Sequence, residues 1–90
     1  TVIGDETSID ALCQVSHNCI LGKKNTLVSG TYLYGSVETG DNVYIASSVI
    51  MNQIKLGDNV TVGMNSVVMS DVESGLTVFG TPAKAHKKSK

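Results

Sequence analysis

Leu56-Gly57-Asp58-Asn59-Val60-Thr61 is followed without a break by Val62-Gly63-Met64-Asn65-Ser66-Val67. Each six opens on an aliphatic residue and a glycine, and its fifth residue is small or β-branched. Counted outward, the aliphatic place recurs at Ile3, Ile9, Val15, Leu21, Leu27, Leu33, Thr39 and Ile45, and after one five-residue step at Ile50, Leu56, Val62 and Val68. Eleven of these twelve are Ile, Leu or Val, types that make up only 24 of the 90 residues, so the period belongs to the whole chain. Four residues further on, Thr7, Cys13, Cys19, Asn25, Thr31, Val37, Val43, Val49, Ile54, Val60, Ser66 and Val72 form a second column of small or β-branched residues. A repeat of this kind decides architecture before any local propensity does.

A longer period sits on the short one. Gly4, Gly22 and Gly40 are 18 apart, Gly57 follows after 17 and Gly75 after 18 more. Three sixes therefore make one coil of three short strands, with glycine expected at one corner where the backbone turns sharply. Stacked coils give a triangular prism whose parallel strands lie about 4.8 Å apart. In that register Ile3 lies under Leu21, Ile9 under Leu27 under Ile45, and Val15 under Leu33. An amphipathic helix needs apolar spacing near 3.6 and fewer glycines and β-branched residues, so it is rejected for everything before Gly75. The segment Ser74-Gly75-Leu76-Thr77-Val78-Phe79-Gly80-Thr81-Pro82-Ala83-Lys84 loses the period and holds the only proline. The fold expected is all-β, with a parallel β-helix over 1–76 and a short irregular cap and basic tail over 77–90. The first residues are already in register with no capping segment, so an acceptor-binding segment is expected ahead of Thr1.

Ninety residues bury a modest core unless neighbouring copies cover more of the surface. The net charge is −1, but residues 1–83 hold eight acids against three lysines, while Lys84, Lys87, Lys88 and Lys90 crowd the last seven positions. The chain contains no arginine, the usual reader of phosphates and bases, which argues against a nucleic-acid partner. No apolar run reaches the roughly 18 residues that cross a bilayer and no leader pattern opens the chain, so a cytoplasmic location without a membrane span is expected. Cys13 and Cys19 are six apart, which fits neither a zinc nor a redox spacing, and read as small buried thiols.

The sixes Ile3-Gly4-Asp5-Glu6-Thr7-Ser8, Leu56 to Thr61 and Val62 to Val67 resemble those of the hexapeptide-repeat acyltransferases, and the resemblance covers Val2 to Lys84. It implies a left-handed parallel β-helix, although parallel crossovers are right-handed in nearly all folds. Gln14-Val15-Ser16-His17-Asn18-Cys19-Ile20-Leu21-Gly22, with Val62 to Val72 and Val78 to Lys84, is similar to the sialic-acid and bacillosamine acetyltransferase branch, which acetylates sugars or nucleotide-linked amino sugars from acetyl-CoA. Ile9 to Asn18 also resembles the lipid A glucosamine N-acyltransferase, which takes a long acyl chain from acyl carrier protein.

Both resemblances imply that His17 is the catalytic base. His17 is the third residue of its six and is expected to point outward, where an imidazole suits proton transfer from an acceptor amine or hydroxyl near neutral pH. Gly35, 18 residues on, offers a backbone N–H to the oxyanion, as the family's matching glycine does. Asn18 stands where the sugar branch has an acidic residue, and Asp10, matching an aspartate of the lipid A branch, could supply a carboxylate across a subunit boundary. Gln53 stands near where the lipid A branch has a second histidine. By analogy, Gly35, Ser47, Gly63 and Lys84 would contact acetyl-CoA. Tyr32, Tyr34 and Tyr44 would face an acceptor or a neighbouring copy, and His86 is expected to be solvated. The resemblance further implies a homotrimer with active sites between prisms, acting on a sugar or nucleotide-sugar.

Three other readings differ in their demands. The acyl-carrier-dependent enzyme shares His17. A zinc hydratase of this fold needs three histidines at one metal and the chain has two, so no metal is expected. A non-catalytic solenoid would hold the fold without donor binding.

Overall fold

The computed structural model describes residues 1–88, with side chains through His86. Lys90 of the basic tail lies outside the described residues, as do the side chains of Lys87 and Lys88. Among the described residues fourteen strands, numbered in chain order, form three walls. The first wall comprises β1 (Val2–Ile3), β4 (Ile20–Leu21), β7 (Glu38–Thr39) and β10 (Lys55–Leu56). The second comprises β2 (Ser8–Ile9), β5 (Thr26–Leu27), β8 (Tyr44–Ile45), β11 (Thr61–Val62), β13 (Leu76–Gly80) and β14 (Ala83–Lys88). The third comprises β3 (Gln14–Val15), β6 (Tyr32–Leu33), β9 (Val49–Ile50) and β12 (Val67–Val68). The molecule is a left-handed parallel β-helix of about four coils. Strands of two residues carry little twist, so the preference for right-handed crossovers, which arises from twist, has no hold here.

The expected register is the observed one: Ile3 pairs with Leu21, Leu27 joins Ile9 to Ile45, and Val15 pairs with Leu33. Leu21, Leu27, Leu33, Ile45, Ile50 and Val62 stack inside the prism at 2 % exposure or less. Thr39, the one break in the aliphatic column, has a reason. Its Oγ1 accepts a 2.6 Å hydrogen bond from Nδ2 of the wholly buried Asn25, whose Oδ1 accepts the Val43 N–H at 2.8 Å. Two polar residues that each spoil a column thus satisfy one another, as burial requires.

The corners overturn the expected role of glycine. The fourth residue of the six takes the left-handed conformation, and it is Glu6, Leu12, Asn18, Lys24, Ser36, Asn42, Gln53, Asn59 or Asn65, with glycine at Gly30 and Gly75 and with Ser47 taking the place in the five-residue step. Gly4, Gly22, Gly40 and Gly57 are not left-handed; they meet the coil above too closely for a side chain. A Cβ on Gly4 would lie 2.5 Å from the Gly22 carbonyl oxygen, and one on Gly40 would strike the Asp58 carboxylate. That carboxylate folds inward because Asp58 Oδ1 accepts the Asp41 N–H at 2.7 Å, as Asp41 Oδ1 accepts the Lys23 N–H at 2.8 Å. Gly-Asp-Asn-Val at 40–43 and 57–60 is therefore one device: glycine makes room, aspartate caps the coil below, asparagine turns the corner and valine enters the core.

Gly75 leaves this column. Val72 bridges Leu56 after only 16 residues, and Gly75, with φ 80°, takes the left-handed corner place and donates its N–H to the Asp58 carbonyl. In the five-residue step the buried corner residue is Ser48, and Val49 instead opens β9 on the outer surface. The cap is more regular than its lost period suggested: β13 continues the parallel ladder on β11, and β14 folds back antiparallel to it.

Leu12 is 90 % exposed yet left-handed. Leu12→Asn is expected to stabilise the fold by about 1 kcal/mol, because asparagine tolerates that conformation better; urea unfolding measures it. Gly40→Ala is expected to destabilise by about 2 kcal/mol through overpacking against the next coil, seen as a lower midpoint in the same experiment.

Candidate functional site

Each coil turns three corners. The third corner, between the third wall and the next coil's first wall, carries Ser16–Cys19 in the first coil and Tyr34–Val37 in the second. There the left-handed Asn18 lets the chain reverse while Cys19 enters the core. His17 is consequently exposed. Its carbonyl accepts the Ser36 N–H at 2.9 Å, and Cys19 Sγ donates to the Tyr34 carbonyl at 3.3 Å, tying the two coils together around the imidazole.

The ring lies over Gly35. A Cβ built on Gly35 would stand 2.7 Å from His17 Cε1 and 2.8 Å from Nε2, so the imidazole occupies the space that a side chain there would fill. The Gly35 carbonyl accepts the Gln53 N–H at 3.0 Å, while among the described residues the Gly35 N–H donates to nothing. The matching N–H groups of Lys23 and Asp41 at the first corner are capped by carboxylates. The third corner thus places an accessible imidazole beside an unengaged backbone donor. Tyr32 and Tyr34, on the stretch that leads into Gly35, pair with ring centroids 4.7 Å apart and tilted by 51°.

His17, Asn18 and Gly35 come together as expected. Asn18 serves the turn, and among the described residues its side chain makes no hydrogen bond with the imidazole. Asp10 does not join them within one chain: it follows β2 at the second corner, where its N–H donates to the Leu27 carbonyl at 3.0 Å. Ser47 and Gly63 occupy that second corner on the third and fourth coils. Ser47 Oγ donates to the Ser29 carbonyl at 2.6 Å, and Gly63 donates to the Val78 carbonyl at 2.9 Å. Phe79 closes over Gly63 so tightly that a Cβ there would lie 2.8 Å from Phe79 Cβ, and Lys84 pairs with Phe79 across the hairpin. Tyr44 stands apart, on the second wall.

Two features escaped sequence reasoning. Asn52 stands above Gly35 in the His17 column, and the same spacing of 18 and then 17 that leads to Gly35 would have found it. His86 is exposed but not merely solvated: it stacks on Phe79 with centroids 3.5 Å apart and 11° between planes. No sequence period signals that contact, because it depends on the hairpin. A shallow concavity on the first wall, lined by Glu38, Lys55, Asp71 and Glu73, contains none of these residues. Among the described residues no helix is long and apolar enough to cross a membrane.

The coil geometry and the outward histidine over glycine define a hexapeptide β-helix. No protein-family model matches the chain. It is 36 % identical over 83 residues to UDP-3-O-acylglucosamine N-acyltransferase of Wolinella succinogenes, covering 91 % of this chain and 26 % of that protein. It is 33 % identical over 86 residues to acyl-[acyl-carrier-protein]–UDP-N-acetylglucosamine O-acyltransferase of Pseudomonas putida, covering 94 % and 33 %. A histidine-to-asparagine variant of perosamine N-acetyltransferase from Caulobacter crescentus, solved with CoA and GDP-perosamine, superposes with a TM-score of 0.92 at 26 % identity, over 96 % of this chain and 41 % of that one. The chain belongs to the hexapeptide-repeat acyltransferase family. It spans about a quarter to a third of the length of these curated relatives.

Gly35→Ala is expected to move the imidazole, a displaceable side-chain end, with a stability change under about 1 kcal/mol. The His17 ring resonances in a proton–nitrogen spectrum should shift while the unfolding midpoint stays nearly constant.

Proposed function

We propose that this chain forms the catalytic β-helix of an acyltransferase that moves an acetyl group from acetyl-CoA to an amino or hydroxyl group of a sugar or nucleotide-sugar. The observation that carries this reading is the His17 imidazole lying against Gly35, whose N–H is unengaged among the described residues. The acceptor nitrogen or oxygen attacks the thioester carbonyl as an imidazole nitrogen of His17 takes its proton. The Gly35 N–H donates to the oxyanion that develops. Collapse breaks the C–S bond, and the imidazolium returns the proton to the departing thiolate, leaving amide or ester and CoA thiol.

Catalytic and donor residues lie at different corners of one prism, which supports a homotrimer with sites between subunits. In such a site Gly63 on the fourth coil stands two coil rises, roughly 10 Å, above the level of Gly35. A pantetheine arm laid along the groove spans that drop, with Lys84 near the phosphates as a point charge and Ser47 along the way. Asp10 of a neighbouring copy supplies the carboxylate that Asn18 cannot. A cytoplasmic location belongs to the same reading.

A second reading has specific support. Two relatives bear names of acyl transfer to UDP-linked glucosamines, one of them from acyl carrier protein. That donor would use the same base and oxyanion group, with a longer acyl chain.

The test supplies acetyl-CoA, then acyl-[acyl carrier protein], with a panel of UDP- and GDP-linked amino sugars, and follows free thiol. Release from one donor is expected, and His17→Ala should lower it at least about 100-fold, the usual contribution of a general base. Undiminished release in His17→Ala overturns the mechanism, and failure to bind either donor favours a non-catalytic solenoid.

A further inference from the structure

The first and third corners share one backbone plan. At each, the carbonyl of the third residue of a six accepts the N–H of the fourth residue one coil up. At the first corner the Lys23 carbonyl accepts from Asn42 at 2.8 Å and the Asp41 carbonyl from Asn59 at 2.9 Å; at the third, the His17 carbonyl accepts from Ser36 at 2.9 Å and the Gly35 carbonyl from Gln53 at 3.0 Å. What differs is the fate of the third residue's own N–H. At the first corner the side chain one coil up folds back to accept it: Asp41 Oδ1 from Lys23 at 2.8 Å, Asp58 Oδ1 from Asp41 at 2.7 Å, and Ser74 Oγ from Asp58 at 2.8 Å. By the same count Asn52 is the residue that would cap Gly35, and its carboxamide oxygen is a competent acceptor. Among the described residues the Gly35 N–H receives no such cap.

The reason lies one residue earlier. Each capped N–H follows a glycine, and a Cβ built on that glycine meets the capping atom itself: Asp41 Oδ1 for Gly22, Asp58 Oδ1 for Gly40, Ser74 Oγ for Gly57. The cap thus reaches the N–H through the space that a Cβ would take. At the third corner the same places hold Ser16, Tyr34, Met51 and Met69, every one of them with a Cβ. We propose that Tyr34 is a positioning residue of the acyl-transfer site: its Cβ bars Asn52 from the Gly35 N–H and so keeps that donor open to the oxyanion. The role of the donor rests on the acyltransfer reading above; the steric exclusion does not.

A capped N–H would have to give up one hydrogen bond before making another, returning part of what the oxyanion gains. A donor held open in advance needs no such reorganisation at the moment of reaction. One backbone plan therefore yields a corner sealed by its own side chains and a corner left open, according to whether glycine or a side-chain-bearing residue stands second in the six.

Tyr34→Gly with Asn52→Asp rebuilds at the third corner the pair formed by Gly40 and Asp58. The comparison is Tyr34→Ala with Asn52→Asp, which loses the same ring and carries the same carboxylate but retains the Cβ. In the full chain the Gly35 amide is expected to exchange with deuterium more slowly in the glycine variant than in the alanine one. Thiol release should be at least about 100-fold slower in the glycine variant, the usual cost of losing an oxyanion donor, with the loss in kcat and the donor KM little changed, because the bond is made in the transition state. Equal exchange at Gly35 in the two variants overturns the assignment. Slower exchange with no loss of rate overturns its catalytic consequence, and with it the oxyanion role of Gly35. If the wild type releases thiol from neither donor, the acyltransfer reading falls, and the exchange comparison still tests the exclusion by itself. Should the glycine variant not fold, the converse change decides: Gly40→Ala places a Cβ at the first corner, and the Asp41 amide is expected to exchange faster than in the wild type. An Asp41 amide equally protected in folded Gly40→Ala overturns the assignment.

Discussion

The distance between one coil and the next governs this molecule. Parallel strands hydrogen-bonded across about 4.8 Å leave no room for a Cβ at Gly4, Gly22, Gly40 or Gly57 in the first-wall column. Gly40 lacks a Cβ because the Asp58 carboxylate must reach the Asp41 N–H. Gly35 obeys the same constraint to a different end. What fills its vacant space is the imidazole of His17, whose ring is seated in a gap of the next coil. The device that holds the stack together at the first corner therefore builds the candidate site at the third.

Backbone conformation divides the labour differently from composition. The left-handed place of each six must turn the chain, and most of its occupants are not glycine. Asn18, Asn42, Asn59 and Asn65 suit it because asparagine tolerates that region. Asn18 consequently has a structural task that needs no catalytic one, and it sets no charge beside His17 in the sequence. Asp10 lies a wall away at the same height, after β2 of the same coil.

Much of the fold was legible from periodicity, because in a stack of equal coils the contacts of a residue are its counterparts one period away. Leu27 meets Ile9 and Ile45 for no reason beyond the count. The same arithmetic put Gly35 beside His17. It failed where the count changes: in the five-residue step Ser48 took the place expected of Val49, and the sixteen-residue interval after Leu56 moved Gly75 off the glycine column. It was silent on the hairpin, whose antiparallel pairing brings Phe79 onto Gly63 and His86 onto Phe79.

Sequence by itself determined the prism, its register and the outward setting of His17, since all three follow from a repeat whose neighbours along the axis are fixed in number. Only tertiary structure decided why Gly4, Gly22, Gly40 and Gly57 are glycine, that Thr39 and Asn25 satisfy one another, and that Asp10 stands at a different corner from His17. Those facts depend on distances between atoms of different coils and on which corner each turn occupies. A one-dimensional count orders such atoms along the chain but does not measure the space between them.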